Sequence, residues 1–162
     1  MILTKDNEYC VVLDSCVLMP MPLCDTFLRF AEEPAFYRIA WSTHILDEVR
    51  RGLSGPKFGY TETQTSRRMD AMQQAFPEAC CNFPEELLDG IIGLPDLDDR
   101  HVVAAAIASH SLAIVTANLQ HFPQDVLHKY GLLPQSPDDF LTHQFHLNPG
   151  LAREKSTLKQ PP

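Results

Sequence analysis

Four places in this sequence set small polar groups against apolar runs, and together they define the chemistry open to it. Tyr9-Cys-Val-Val-Leu-Asp14-Ser15 runs five residues of apolar character straight into a carboxylate. Ile45-Leu-Asp-Glu48-Val sets a glutamate beside an apolar stripe, and Leu94-Pro-Asp96-Leu-Asp98-Asp99 gathers three acids ahead of an alanine-rich stretch. Ala113-Ile-Val-Thr116-Ala-Asn118 ends in a hydroxyl and an amide. An aspartate closing a strand that is buried on both faces has lost much of its water and needs a cation or several donors. Capping the next turn is the simpler use for Asp14.

The triple acid has a capping use too. Asp96 or Asp98 is the natural cap of the helix that follows, and acids in a first turn are favoured by the helix dipole. Three carboxylates in four positions nevertheless exceed what capping requires, and like charges this close raise one another's pKa unless a cation neutralises them. Spacing alone leaves open which of Asp96, Asp98 and Asp99 faces a ligand.

Taken together, Asp14, Glu48, Asp99 and Asn118 come from four separate elements and offer only oxygen ligands. Such a set suits a hard cation, Mg²⁺ or Mn²⁺, held through few protein atoms. That cation makes a nucleophile of water and neutralises charge on a phosphodiester. The sequence lacks G-x-x-x-x-G-K-[ST], G-x-G-x-x-G and G-x-S-x-G, which removes the common nucleotide-binding and serine-hydrolase chemistries. An aspartyl-phosphate mechanism wants a second aspartate two positions after the first, and Cys16 stands there.

The elements that must position these groups follow from the pattern. Tyr9 to Leu13 and Ala113 to Thr116 read as buried parallel strands, whose carboxyl ends lie on one edge of the sheet. Tyr37-Arg-Ile-Ala-Trp41 and Ala79-Cys-Cys-Asn-Phe83 read as further short strands. Pro22 opens a helix carrying Leu23, Phe27 and Phe30, and Ser42 or Thr43 caps one whose stripe is Ile45, Leu46, Val49 and Leu53. At about 100° per residue Glu48 lies on the margin of that stripe. Residues 65–76 form a helix with Met69, Met72 and Phe76 inward, and Pro84 starts one that Gly93 ends. Further helices cover 124–130 and the stretch after Ser136. Past His146 the chain turns polar and Pro-ended, so 1–146 reads as a single domain and 147–162 as a flexible tail.

Composition narrows the partners. The 162 residues are 44% hydrophobic and 21% charged, as in one globular domain. The start, Met1-Ile-Leu-Thr-Lys-Asp-Asn-Glu, lacks the apolar centre of a signal peptide, and no run is long enough for a membrane span, so a cytoplasmic protein is expected. Five cysteines without a C-x-x-C pair read as buried reduced thiols, and seven histidines without H-E-x-x-H read as surface or packing residues. A net charge of −8 argues against holding nucleic acid by bulk charge. Arg50, Arg51, Arg67 and Arg68, with Lys57, make the one dense basic region, either a solvated face or a patch for backbone phosphates.

The four motifs, in this order and spacing, resemble those of PIN-domain ribonucleases, many of which are VapC-type toxins of bacterial toxin–antitoxin pairs. The resemblance runs from about Tyr9 to Leu141. It implies a three-layer α/β/α fold with a central parallel sheet of four to five strands, and Mg²⁺- or Mn²⁺-dependent cleavage of single-stranded RNA. A homodimer and an inhibitory antitoxin are implied as well. Asp14, Glu48 and Asp99 carry over as metal ligands, Ser15 and Thr116 as supporting polar groups. The family often has an acid where Asn118 stands; a neutral amide adds no negative charge there, and Asp96 is the substitute ligand at hand.

Overall fold

The computed structural model describes residues 9–157. Both ends of the expected division, 1–8 and 158–162, lie outside the described residues. Five parallel strands form one sheet: β1 (Cys10–Leu13), β2 (Arg38–Ser42), β3 (Cys80–Cys81), β4 (Ala113–Val115) and β5 (Leu133–Gln135), in the order β3-β2-β1-β4-β5. Every residue of β1 is at most 2% exposed. Because strand side chains alternate between faces, this requires helices on both sides, the α/β/α arrangement that the unbroken apolar run foretells.

The chain order matters for the site. It builds outward from β1 to β2 and β3, then returns to lay β4 against the other side of β1, with β5 beyond. The direction of winding therefore switches between β1 and β4, and the crevice past the carboxyl ends of two such strands is where open α/β sheets take ligands. Asp14 and Thr116 are the first residues past those two ends.

The helices follow their caps. α1 (Ser15–Leu18) is a single turn started by the Asp14 side chain, and Pro22 sits in the first turn of α2 (Met21–Ala31). Ser42 caps α3 (Thr43–Ser54), whose buried residues are the four of the expected stripe, Ile45, Leu46, Val49 and Leu53. α4 (Glu62–Ala75) starts three residues before the expected 65 because Thr61 and Gln64 form a reciprocal capping box. The helix expected from Pro84 to Gly93 is only the turn α5 (Glu86–Asp89). In α6 (Arg100–Ala108), Ala104, Ala105 and Ala106 are fully buried, small enough to let the helix lie close across β1, β2 and β4.

Two further parts depart from the sequence reading. β5 has no apolar alternation and contains Pro134, which an edge strand tolerates because one side of its ladder is unpaired. After α7 (Gln124–His128) and α8 (Pro137–Leu147), residues 149–157 form α9 (Pro149–Thr157), where a tail was expected. Lys155 explains it: its Nζ donates to the carbonyls of Arg29 and Glu32 at 2.8 and 2.7 Å, and Arg29 returns a bond to the Lys155 carbonyl at 3.2 Å. That pairing satisfies the open C-terminal carbonyls of α2. Among the described residues no helix is long and apolar enough to cross a membrane. All five cysteines are free, though Cys80 is exposed.

Candidate active site

Asp14 follows β1 in extended conformation, so its side chain turns back over the start of α1 and accepts the Ser15 amide at 2.8 Å. Its other oxygen takes the Thr116 hydroxyl at 2.8 Å, and the Cys16 thiol lies 3.5 Å away. Asp14 as a whole is only 6% exposed. Burial pushes it above the usual carboxylate range; the Thr116 and Ser15 bonds oppose that shift, and the charge of Glu48 adds to it. Asp14 thus caps a helix and also faces other acids, the two uses that sequence alone left open. Burial next to Asp14 likewise raises the Cys16 thiol to about 11, so it stays protonated.

Glu48 reaches the same place from α3. Its Oε2 accepts the Ser15 hydroxyl at 2.9 Å, and its Oε1 pairs with Nε2 of His101 on α6. Burial alone would raise its pKa, but the bonds from His101 and Ser15, with the charge of Arg51, outweigh burial and hold it below the usual range. The margin of the stripe is therefore where a glutamate can be anchored at its base and still present its carboxylate.

The acid triplet divides its labour. Asp96 caps the short 3₁₀ turn Leu97–Asp99 by accepting the Asp98 amide at 2.9 Å. Asp98 is exposed, beside a cavity of about 420 Å³ that also reaches Glu48 and His101. Asp99 stands at the N-cap position of α6 without using its side chain as a cap. Burial raises its pKa, His121 Nδ1 at 3.0 Å from its Oδ2 opposes this, and the charges of Asp14 and Asp96 add to it. Asp99 is thus the acid of the triplet whose carboxyl feels the charge of Asp14. Asp96 is exposed, engaged in its cap, and felt by Asp99 as a charge.

Asn118 is exposed, and its backbone amide, not its side chain, joins the cluster by donating to Thr116 Oγ1 at 3.0 Å. Of the basic residues, Arg50, Arg51 and Arg67 are exposed. Arg68 is not: it is buried and donates to the carbonyls of Leu18 and Met19, bracing the corner between α1 and α2. Its guanidinium is committed there, so it drops out of the phosphate patch. The histidines need a correction as well, since His101 and His121 each pair with an acid of the site. The signal lay in short spacings, His44 four residues before Glu48 and His101 two after Asp99, which resemble no standard metal motif.

The donors fit a hard divalent cation. They are all oxygen and come from three elements, and the charge of Glu48 raises Asp14 as that of Asp14 raises Asp99, a conflict a cation relieves. Among the described residues no group of three His, Cys, Asp or Glu side chains is placed to hold a metal ion by itself. Mg²⁺ suits such a place, because it keeps several waters and takes only one or two carboxylates directly.

A parallel sheet with acids at its switch point defines a class, and the sequence comparisons agree on it. The PIN domain family matches residues 10–120, well over half of the chain, and the chain belongs to that family. Over 49 residues it is 51% identical to a protein of Mycobacterium tuberculosis named "Putative ribonuclease VapC50". That stretch covers 30% of this chain and 29% of the relative's length. No solved structure matches the chain.

Proposed function

We propose that this chain is a Mg²⁺- or Mn²⁺-dependent endoribonuclease that hydrolyses phosphodiester bonds of single-stranded RNA. What supports the proposal is three carboxylates, each from a different element, set around the point where the winding of the sheet reverses, with the charge of Glu48 felt at Asp14 and that of Asp14 at Asp99. Asp14, Glu48 and Asp99 would hold the cation. When bound, it acidifies water and neutralises charge on the scissile phosphate. Ser15 supports this by bonding both Asp14, through its amide, and Glu48, through its hydroxyl. Thr116 holds the second oxygen of Asp14, and the Asn118 amide holds Thr116 in turn. The exposed Arg50, Arg51 and Arg67 would take flanking phosphates, by charge and without reading sequence.

The name of the VapC50 relative supports a toxin held in check by a protein antitoxin; action in the cytoplasm and assembly as a homodimer are what we propose with it. A second reading, an inactive PIN-like binding or regulatory module, is favoured by one observation: the position often acidic in the family is the exposed, neutral Asn118. RNA cleavage decides between them. Purified protein with Mn²⁺ should cut single-stranded RNA, and Asp14→Asn should not; equal cleavage by the two proteins would place the chemistry elsewhere, and no cleavage by either would favour the binding module.

A further inference from the structure

His44 and Glu48 are four residues apart on α3, so their side chains lie one above the other on the same face. His101, from the first turn of α6, touches both. Its ring stacks on that of His44, with centroids 5.5 Å apart and planes within 20°, while its Nε2 meets Glu48 Oε1. His44 also stacks with Phe83, at 5.2 Å and 21°, and its Nε2 lies 3.5 Å from Glu85 Oε1. Glu48 is thus held at both oxygens, by His101 on one side and the Ser15 hydroxyl on the other.

The remaining polar atom of His101 shows what the ring is for. Nδ1 is buried and has no hydrogen-bond partner among the described residues. A residue placed only to fill that space would do better without a nitrogen, since an unpaired buried polar atom is unfavourable. Among the described residues the one polar contact His101 makes is to Glu48. With Nε2 facing a carboxylate, the proton sits on Nε2 and the imidazole acts as a donor. The other imidazole–acid pair of the site, His121 with Asp99, is open to water, its ring 41% exposed against 10% for His101. Exposed pairs of that kind contribute little.

We propose that His101 is a positioning residue that fixes the Glu48 carboxylate as a metal ligand, with His44 as its stacking brace. This rests on the metal centre proposed above. A donor that orients a ligating group and locks its rotamer commonly changes metal affinity by about 10–100-fold when removed.

The test is Mn²⁺ binding by calorimetry on the full chain, with folding followed by circular dichroism. His101→Leu should weaken Mn²⁺ binding by about 10–100-fold. His101→Gln, whose amide N–H replaces the Nε2 donor, should recover most of the affinity, which a purely space-filling role would not predict. His44→Ala, at a partly exposed position, should give an intermediate loss, and His121→Ala a smaller one than His101→Leu. If folded His101→Leu binds Mn²⁺ like wild type while Asp14→Asn does not, the positioning role is wrong and the metal centre stands. If wild type binds no Mn²⁺, both fail. Should His101→Leu not fold, unchanged affinity in His44→Ala overturns the proposal.

Discussion

Thr116 Oγ1 donates a 2.8 Å hydrogen bond to Asp14 Oδ2, tying together the first residues past two adjacent parallel strands. Next to it the Asp14 amide donates to the Val115 carbonyl at 3.0 Å, so backbone and side chain close the same gap. The hydroxyl is fully buried and also accepts the Asn118 amide. One side chain thus serves the carboxylate and the loop that follows β4.

Replacing that hydroxyl with a methyl group isolates its contribution. Thr116→Val keeps the shape but leaves a buried carboxylate oxygen short of a donor. Bonds to charged groups contribute about 1.5–3 kcal/mol, so the variant should lose roughly that much stability at neutral pH. Urea unfolding measures it, and the loss should shrink in acid, where Asp14 is neutral. A variant as stable as wild type at both pH values would show that the bond is idle.

Asp14 itself should be a source of instability in the metal-free protein. Its pKa is raised in the folded state by burial, so the folded protein binds the proton more tightly than the unfolded chain does. For an acid with that sign, stability is greatest below the ordinary carboxylate pKa and falls as pH rises from there through the raised folded value. Asp99 has the same sign, and Glu48, held low by His101, has the opposite one. Asp14→Asn should therefore raise the melting temperature at pH 7 without metal, an advantage that fades toward pH 4 and below. A lower melting temperature for the variant at pH 7 would contradict this. The same substitution should abolish cleavage, the usual opposition between stability and function at a charged site.

What was legible in the sequence was whatever a local pattern could encode. β1 is an unbroken apolar run because helices cover both its faces, and α3 shows a clean stripe because one side meets the core. Asp14, Glu48 and Asp99 stood out as candidates because each punctuates such an element. β5 was illegible because an edge strand of three residues needs little apolar character and can hold a proline. α9 was missed because what fixes it is a lysine capping a helix more than a hundred residues earlier in the chain. The roles of His101 and Arg68 were hidden for the same reason, since both act on partners far away in sequence.

Arg68 and the exposed arginines should separate cleanly in solution. RNA affinity should fall steeply with salt, and removing Arg50, Arg51 or Arg67 should reduce the slope of log K against log [salt] by about 1 for each phosphate left without its arginine. Arg68→Ala should lower the unfolding midpoint instead and leave that slope unchanged, because its guanidinium holds backbone carbonyls. Binding that ignores salt would remove the arginine patch from the account.

Lys155→Met tests whether α9 belongs to the folded unit. The apolar replacement keeps the stem but withdraws both bonds to the end of α2, at a cost on the order of 1–3 kcal/mol in unfolding free energy. Urea denaturation should show a lower midpoint. An unchanged midpoint would mean that α9 rests on α2 without stabilising it.

The central claim, that the fold gathers Asp14, Glu48 and Asp99 around a divalent ion, is tested most directly by anomalous diffraction from crystals soaked in Mn²⁺. The account predicts a manganese peak between these three side chains, with at least one carboxylate oxygen in direct contact, and no such peak in Asp14→Asn crystals. Strong manganese density elsewhere, with the space between Asp14 and Asp99 empty, would contradict it.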